Sequence, residues 1–146
     1  MIKMVLRILV LSTGMAAISA LAHTGAQGVV KARMDAMSKI GENMKTLGQM
    51  ATGKTEFDPD RAQTAAQTIE KHARNIAALF QEKDMSAPSE SRQEIWTDWN
   101  DFVSQAEELV TTARRSAQNA STLSGVRAAV PQLGATCKSC HQDYRL

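Results

Sequence analysis

Residues 134–146 read GATCKSCHQDYRL. They hold both cysteines of the chain, Cys137 and Cys140, with His141 directly after the second. Upstream, Leu123, Val126, Ala129, Val130 and Leu133 fall at steps of three and four, and Cys137, Cys140, His141 and Tyr144 continue the series. That is one apolar face of a helix over about 123 to 144. The two thiols are therefore expected a turn apart on a helix. Pro131 lies inside the stretch and is expected to kink the helix or to mark its true start, because proline lacks a backbone donor.

The same period recurs three times upstream. From about Gln27 to Ala51, Val30, Met34, Met37, Ile40, Gly41, Met44, Leu47, Gly48 and Ala51 form one stripe. The polar TGKTEFDPD then reads as a loop, with Asp58 or Asp60 able to cap a helix that Pro59 helps to begin. This second helix, over about 60 to 82, places Ala62, Ala65, Ala66, Ile69, Ala73, Ile76, Ala77 and Phe80 together. Pro88 and its serines interrupt again. Ser91, with Glu94 three residues on, is a capping-box candidate for a third helix that carries both tryptophans and ends near Asn119. Nothing reads as a strand, a repeat or a low-complexity tract. Four amphipathic helices with short connections predict an all-α chain, an antiparallel four-helix bundle.

Residues 1–22 differ in character. Lys3 and Arg7 precede an apolar run from Ile8 to about Ala20, and Ala20-Leu21-Ala22 follows, the order of a secretory signal peptide cleaved after Ala22. An uncleaved membrane anchor is the competing reading, since Met4 to Ala22 nearly spans a bilayer; Ser12, Thr13 and Gly14 weaken it. Residues 23–146 are then the mature domain, with no membrane span, and its fifteen basic residues match fifteen acidic ones. That balance, with no basic run, argues against nucleic-acid binding. Export implies a periplasmic location, where an unoccupied thiol pair tends to oxidise. A disulfide across two intervening residues would restrain little of the unfolded chain, so another use of the thiols is expected.

C-x-x-C-H is the attachment signature of c-type haem. Residues three apart on a helix lie on nearly one side, which lets both thiols reach the two vinyl groups of one porphyrin and form thioethers. His141 is then placed to bind the iron from beneath the ring. A structural zinc site would want four protein ligands, whereas this chain has two cysteines and three histidines, of which His23 adjoins the predicted cleavage site. A thioredoxin-like pair belongs where a strand feeds the start of a helix, and these thiols fall near the end of the last one. The low aromatic share, 4%, and the eight methionines suit a core partly filled by a flat cofactor.

With CKSCHQDYR in the form C-x-x-C-H-x-x-Y/F-R, EIWTDWNDF in the third helix and KARMDAMSKIGENMKTLGQMATGK in the first, the chain resembles the cytochrome c prime family over residues 28–146. The resemblance implies a four-helix bundle with one covalent haem c. It also implies a choice at the far side of the iron. High-spin members are five-coordinate, close that side with an apolar residue and bind nitric oxide or carbon monoxide. Low-spin members, the cytochrome c-556 type, use a methionine of the first helix.

In the family pattern an arginine precedes the residue over the iron by one turn, and here Arg33 precedes Met37. The resemblance thus implies His141 and Met37 as iron ligands, although periodicity alone does not choose among Met34, Met37 and Met44, and methionine at helical spacing commonly fills cores. Arg33 is expected near a haem propionate, and Arg145 beside the proximal histidine. Trp96 and Trp99 are expected in the core against the haem, Tyr144 on the ring or hydrogen-bonded nearby, and His72 in solvent. The expected function is electron transfer with redox partner proteins, the alternative being a five-coordinate gas sensor or sink. Enzymatic turnover is not expected, for no paired carboxylates, nucleophile motif or phosphate-cradling loop is present. The resemblance further implies pairing of two copies through the first two helices.

Overall fold

Helix formation follows the apolar periods closely, but two of the four predicted helices are broken. The computed structural model describes residues 26–146, so the predicted leader at 1–22 lies outside the described residues. In chain order the helices are α1 (Gly28–Ala51), α2 (Pro59–Ala73), α3 (Ile76–Phe80), α4 (Glu94–Thr97), α5 (Trp99–Asn119) and α6 (Leu123–Tyr144). The four long helices, α1, α2, α5 and α6, form a ring in which each packs against two neighbours.

Local chemistry explains most of the boundaries. At the end of α1, Gly53 adopts φ +73, a left-handed conformation that favours glycine. Its amide bonds to Met50 O at 3.1 Å, and that of Lys54 to Gln49 O at 2.8 Å, which closes the helix as a Schellman motif. Of the two candidate caps for α2 the structure uses Asp58, whose carboxylate accepts from Arg61 N at 3.0 Å, with Pro59 in the first turn. The turn into α6 is tight enough that a Cβ at Gly125 would lie 1.9 Å from Asn119 O.

Three expectations are corrected. The second helix breaks at Arg74 and Asn75, where the Asn75 amide reaches back three residues to His72 O and its side chain bonds Lys71 O at 3.3 Å; such side chains compete with the helical ladder. The third helix breaks at Asp98 (φ −114, ψ 40), and Ser91 does not cap it: Gln93 holds that position without a side-chain bond. Ser91 instead pairs with Arg145 in an isolated antiparallel bridge. Pro131 does not mark the start of the last helix but lies inside it. That helix begins at Leu123, capped by Thr122 Oγ1 accepting from Gly125 N at 3.1 Å, and runs on through the proline.

Neighbouring helices run antiparallel, as cross-links along them show. Arg33 near the start of α1 meets Leu79 at the end of α3, the Phe80 ring at the end of α3 meets that of Phe102 near the start of α5, and Tyr144 at the end of α6 meets Asp101 near the start of α5. The Arg127 Nε near the start of α6 donates to Ala51 O at the end of α1 at 3.0 Å. Alanine at 62, 65, 66 and 73 lets α2 approach its neighbours closely, while Ile69, Leu47, Met50, Val126 and Leu133 fill the interior. Each large aliphatic side chain so buried contributes about 1.5–3 kcal/mol.

Arg33, a cation that the apolar pattern of α1 does not count, is only 3% exposed. Its Nε donates to Leu79 O at 2.8 Å and Nη1 to Asp84 O at 2.6 Å, while Nη2 donates to Glu82 O. The guanidinium carbon also lies 4.5 Å from the centroid of the Phe80 ring and 5.6 Å from that of Trp96. Burial pushes its pKa down, against the pull of Asp84 and Glu82, and an arginine remains charged through such a shift. Arg33→Ala would leave the carbonyls of Leu79, Glu82 and Asp84 without this donor and remove the stacked cation. Its expected cost is about 3 kcal/mol, read as a lower denaturant midpoint of the holoprotein.

Candidate functional site

Cys137 and Cys140 are both half-buried free thiols packed against the core. Desolvation by burial raises the pKa of each, and for Cys140, with the further repulsion of Asp143, to about 11. Both are therefore protonated near neutrality. A redox-active cysteine instead has a lowered pKa. Neutral thiols a turn apart fit covalent addition to a paired acceptor, and the donor set suits two thioethers.

His141 departs from the apolar face on which its spacing was read. It is exposed on α6, yet enough protein surrounds it that desolvation, followed by the charge of Arg145, lowers its pKa. A neutral imidazole with a free lone pair is the form that ligates a metal. Among the described residues no group of three or more His, Cys, Asp and Glu side chains comes together as a metal site, so zinc would lack protein ligands here.

Met37 is half-buried on α1 and packs against the core. The Arg127–Ala51 bond sets its height relative to α6. Met37 lies fourteen residues before Ala51, and His141 lies fourteen after Arg127. At a common rise per residue along antiparallel helices, the two stand level to within about one turn. Met44 stands two turns lower, and Met34 about one turn higher.

The arginines make protein contacts in the structure. The three bonds from Arg33 to carbonyls leave at most two of its five N–H groups for a propionate. Arg145 pairs with Glu90, its Nε 2.7 Å and its Nη2 2.5 Å from Oε2. Trp96 donates Nε1–H to Phe80 O at 2.8 Å. Phe80, Trp96, Trp99, Phe102 and Tyr144 form one aromatic cluster, with the Phe102 ring edge-on to Phe80 at 5.1 Å and to Tyr144 at 5.2 Å. His72 is half-buried and lines a groove of about 660 Å³ between α1 and α2, beside Lys39 and Glu42.

Several neighbours of the motif were invisible to spacing. Tyr144 is buried, and its hydroxyl donates to Asp101 Oδ2 at 2.7 Å. Gln105 donates to the same oxygen at 2.9 Å and to Asp143 Oδ2 at 3.2 Å. These bonds hold the Asp101 carboxyl below its usual range; burial and the Asp101 charge push the Tyr144 phenol well up. A cleft of about 680 Å³ lies alongside, lined by Arg92, Trp99, Asp101, Asp143 and Tyr144 among others. It adjoins the end of α6 but takes in none of Cys137, Cys140 and His141. The one hint in sequence is the four-residue step from Asp101 to Gln105, which does not reveal the partner on α6.

Residues 28–145 match the family described as Cytochrome C'. A cytochrome c-556 from Agrobacterium tumefaciens (strain apple 185) is 33% identical over 120 residues, covering 82% of this chain and 95% of the relative. A cytochrome c' from Halomonas halodenitrificans is 29% identical over 121 residues, covering 77% and 92%. The solved structure of cytochrome c' from Rhodopseudomonas palustris shares the fold at a TM-score of 0.77 and 23% identity, covering 83% of this chain and 98% of that one. With the terminal helix presenting two neutral thiols and a free imidazole, and with the match running over residues 28–145, this chain belongs to the cytochrome c' family and carries a covalently bound haem c with its iron.

Proposed function

We propose that this chain carries single electrons between redox partner proteins in the periplasm, with Cys137 and Cys140 holding the haem and His141 and Met37 ligating its iron. When bound, the haem supplies a one-electron change between ferric and ferrous iron. The observation that supports the reading is the height of Met37, half-buried on the helix beside α6 and within about one turn of the level of His141.

A thioether is uncharged and has no proton to lose, so its ligation depends on position alone. It favours the reduced iron and raises the potential. Burial of the Met37 side chain limits water on that side, while His141 offers a neutral imidazole from the other. With both axial positions filled by the chain, no site remains for a substrate, and no enzymatic activity is proposed. The name cytochrome c-556 borne by the Agrobacterium relative agrees with the low-spin type.

Export belongs to the same proposal, on the order of basic, apolar and small residues in 1–22. Among the described residues no helix is long and apolar enough to cross a membrane. Pairing of two copies through α1 and α2 is part of it as well, on the family resemblance; the groove there mixes small residues, Ala32, Ala36 and Ala78, with the charged Asp35, Lys39 and Glu42.

The visible spectrum of the reduced holoprotein tests the function. A sharp low-spin alpha band that carbon monoxide leaves unchanged is the expected result. A broad high-spin band that shifts readily with carbon monoxide would replace this reading with the five-coordinate, gas-binding one.

A further inference from the structure

A helix ends in four carbonyls that its own backbone leaves unpaired, and in α6 these begin at His141. Each has a donor in this structure. His141 O accepts from Arg145 N at 3.2 Å and Tyr144 O from Arg92 N at 3.0 Å. Gln142 O and Asp143 O both accept from Arg92 Nη1, at 3.2 and 3.4 Å, and that nitrogen carries two N–H groups, one for each. A single residue from outside the helix thus serves three of the four.

The contrast with α1 is informative. That helix closes on itself through a left-handed Gly53, whereas the residue after α6, Arg145, is extended (φ −118, ψ 137) and cannot form such a cap. The connection before α4 closes the helix instead. Leu146 N donates to Glu90 O at 2.9 Å, Ser91 bridges Arg145, and Glu90 holds the Arg145 guanidinium.

We propose that Arg92 is a positioning residue for the haem ligand, capping the last turn of α6 so that His141 keeps one orientation. The proposal rests on His141 ligating the iron. The ligand stands three residues from the end of its helix, where backbone hydrogen bonds open most easily. Any tilt of that turn would tilt the imidazole with it. A cation at this end also opposes the negative pole of the helix.

Arg92→Ala in the holoprotein keeps the amide bonded to Tyr144 O and removes both side-chain bonds. Hydrogen exchange at the amides of Asp143, Tyr144 and Arg145 should quicken about fivefold. The electron paramagnetic resonance spectrum of the ferric iron should broaden or shift, since it reports the axial ligand's angle. Arg92→Lys, whose ammonium can donate to the same carbonyls, should restore part of both and serves if the alanine variant folds poorly. Unchanged exchange overturns the proposal, and so does faster exchange with a wild-type resonance spectrum. His141→Gly separates the two layers. If it leaves the spectrum intact, the ligand assignment itself falls; if it abolishes the spectrum while Arg92→Ala is silent, only the positioning role is lost.

Discussion

Replacing both Cys137 and Cys140 with alanine should yield a polypeptide with no covalent haem: its mass falls by that of the porphyrin as well as of two sulfur atoms, and acidified organic solvent strips any residual colour. The expectation follows from the state of the thiols. Both are half-buried and held protonated, one turn apart on the same face of α6 that Val126, Ala129 and Leu133 lock into the core. Among the described residues they are the only free cysteines, so nothing can take over their role. Each single variant should keep one thioether and resist extraction. Haem that survives extraction in the double variant would mean attachment through some other side chain.

Met37→Ala should change the iron itself rather than its attachment. The reduced spectrum should turn from low-spin to high-spin, carbon monoxide should bind readily, and the midpoint potential should fall by on the order of 0.1 V, a fraction of the roughly 0.8 V over which axial ligands set haem potentials. Alanine is a strong helix former and the site is half-buried, so α1 should persist and folding should not confuse the result. Met34→Ala and Met44→Ala are the controls. They share the apolar stripe but stand about one turn above and two turns below Met37 on α1. Both should keep the wild-type spectrum. An unaltered spectrum in Met37→Ala, or a change in Met44→Ala, would reassign the ligand.

The helices that the apolar period predicts are present because a 3.6-residue repeat has few other ways to bury its face. The departures have local causes. Asn75 bonds backward to Lys71 O and stops α2 early, while Asp98 adopts a non-helical conformation between α4 and α5. Ser91 resembled a cap in a four-residue window, but a partner far along the chain, Arg145, claimed it for the bridge. Arg33 is read from the resemblance as a partner for a haem propionate, and what spacing does not reveal is the set of carbonyls of Leu79, Glu82 and Asp84, brought there by the end of α3 and the loop after it, that makes its burial tolerable.

What the sequence by itself determined is what neighbouring residues decide together: four helical segments, a pair of thiols one turn apart and a histidine beside them. These follow from steric and covalent relations that span a few residues, and they persist in any packing of the helices. The tertiary structure decided the rest. How α1 slides against α6, and so which of its residues come near the level of His141, depends on the filling of the core between them and on contacts such as Arg127 reaching Ala51. Why His141 sits on a firm last turn depends on Arg92, some fifty residues away in the chain. Hydrogen bonds and packing across such separations leave no period to read, because the partners meet only after the helices have assembled.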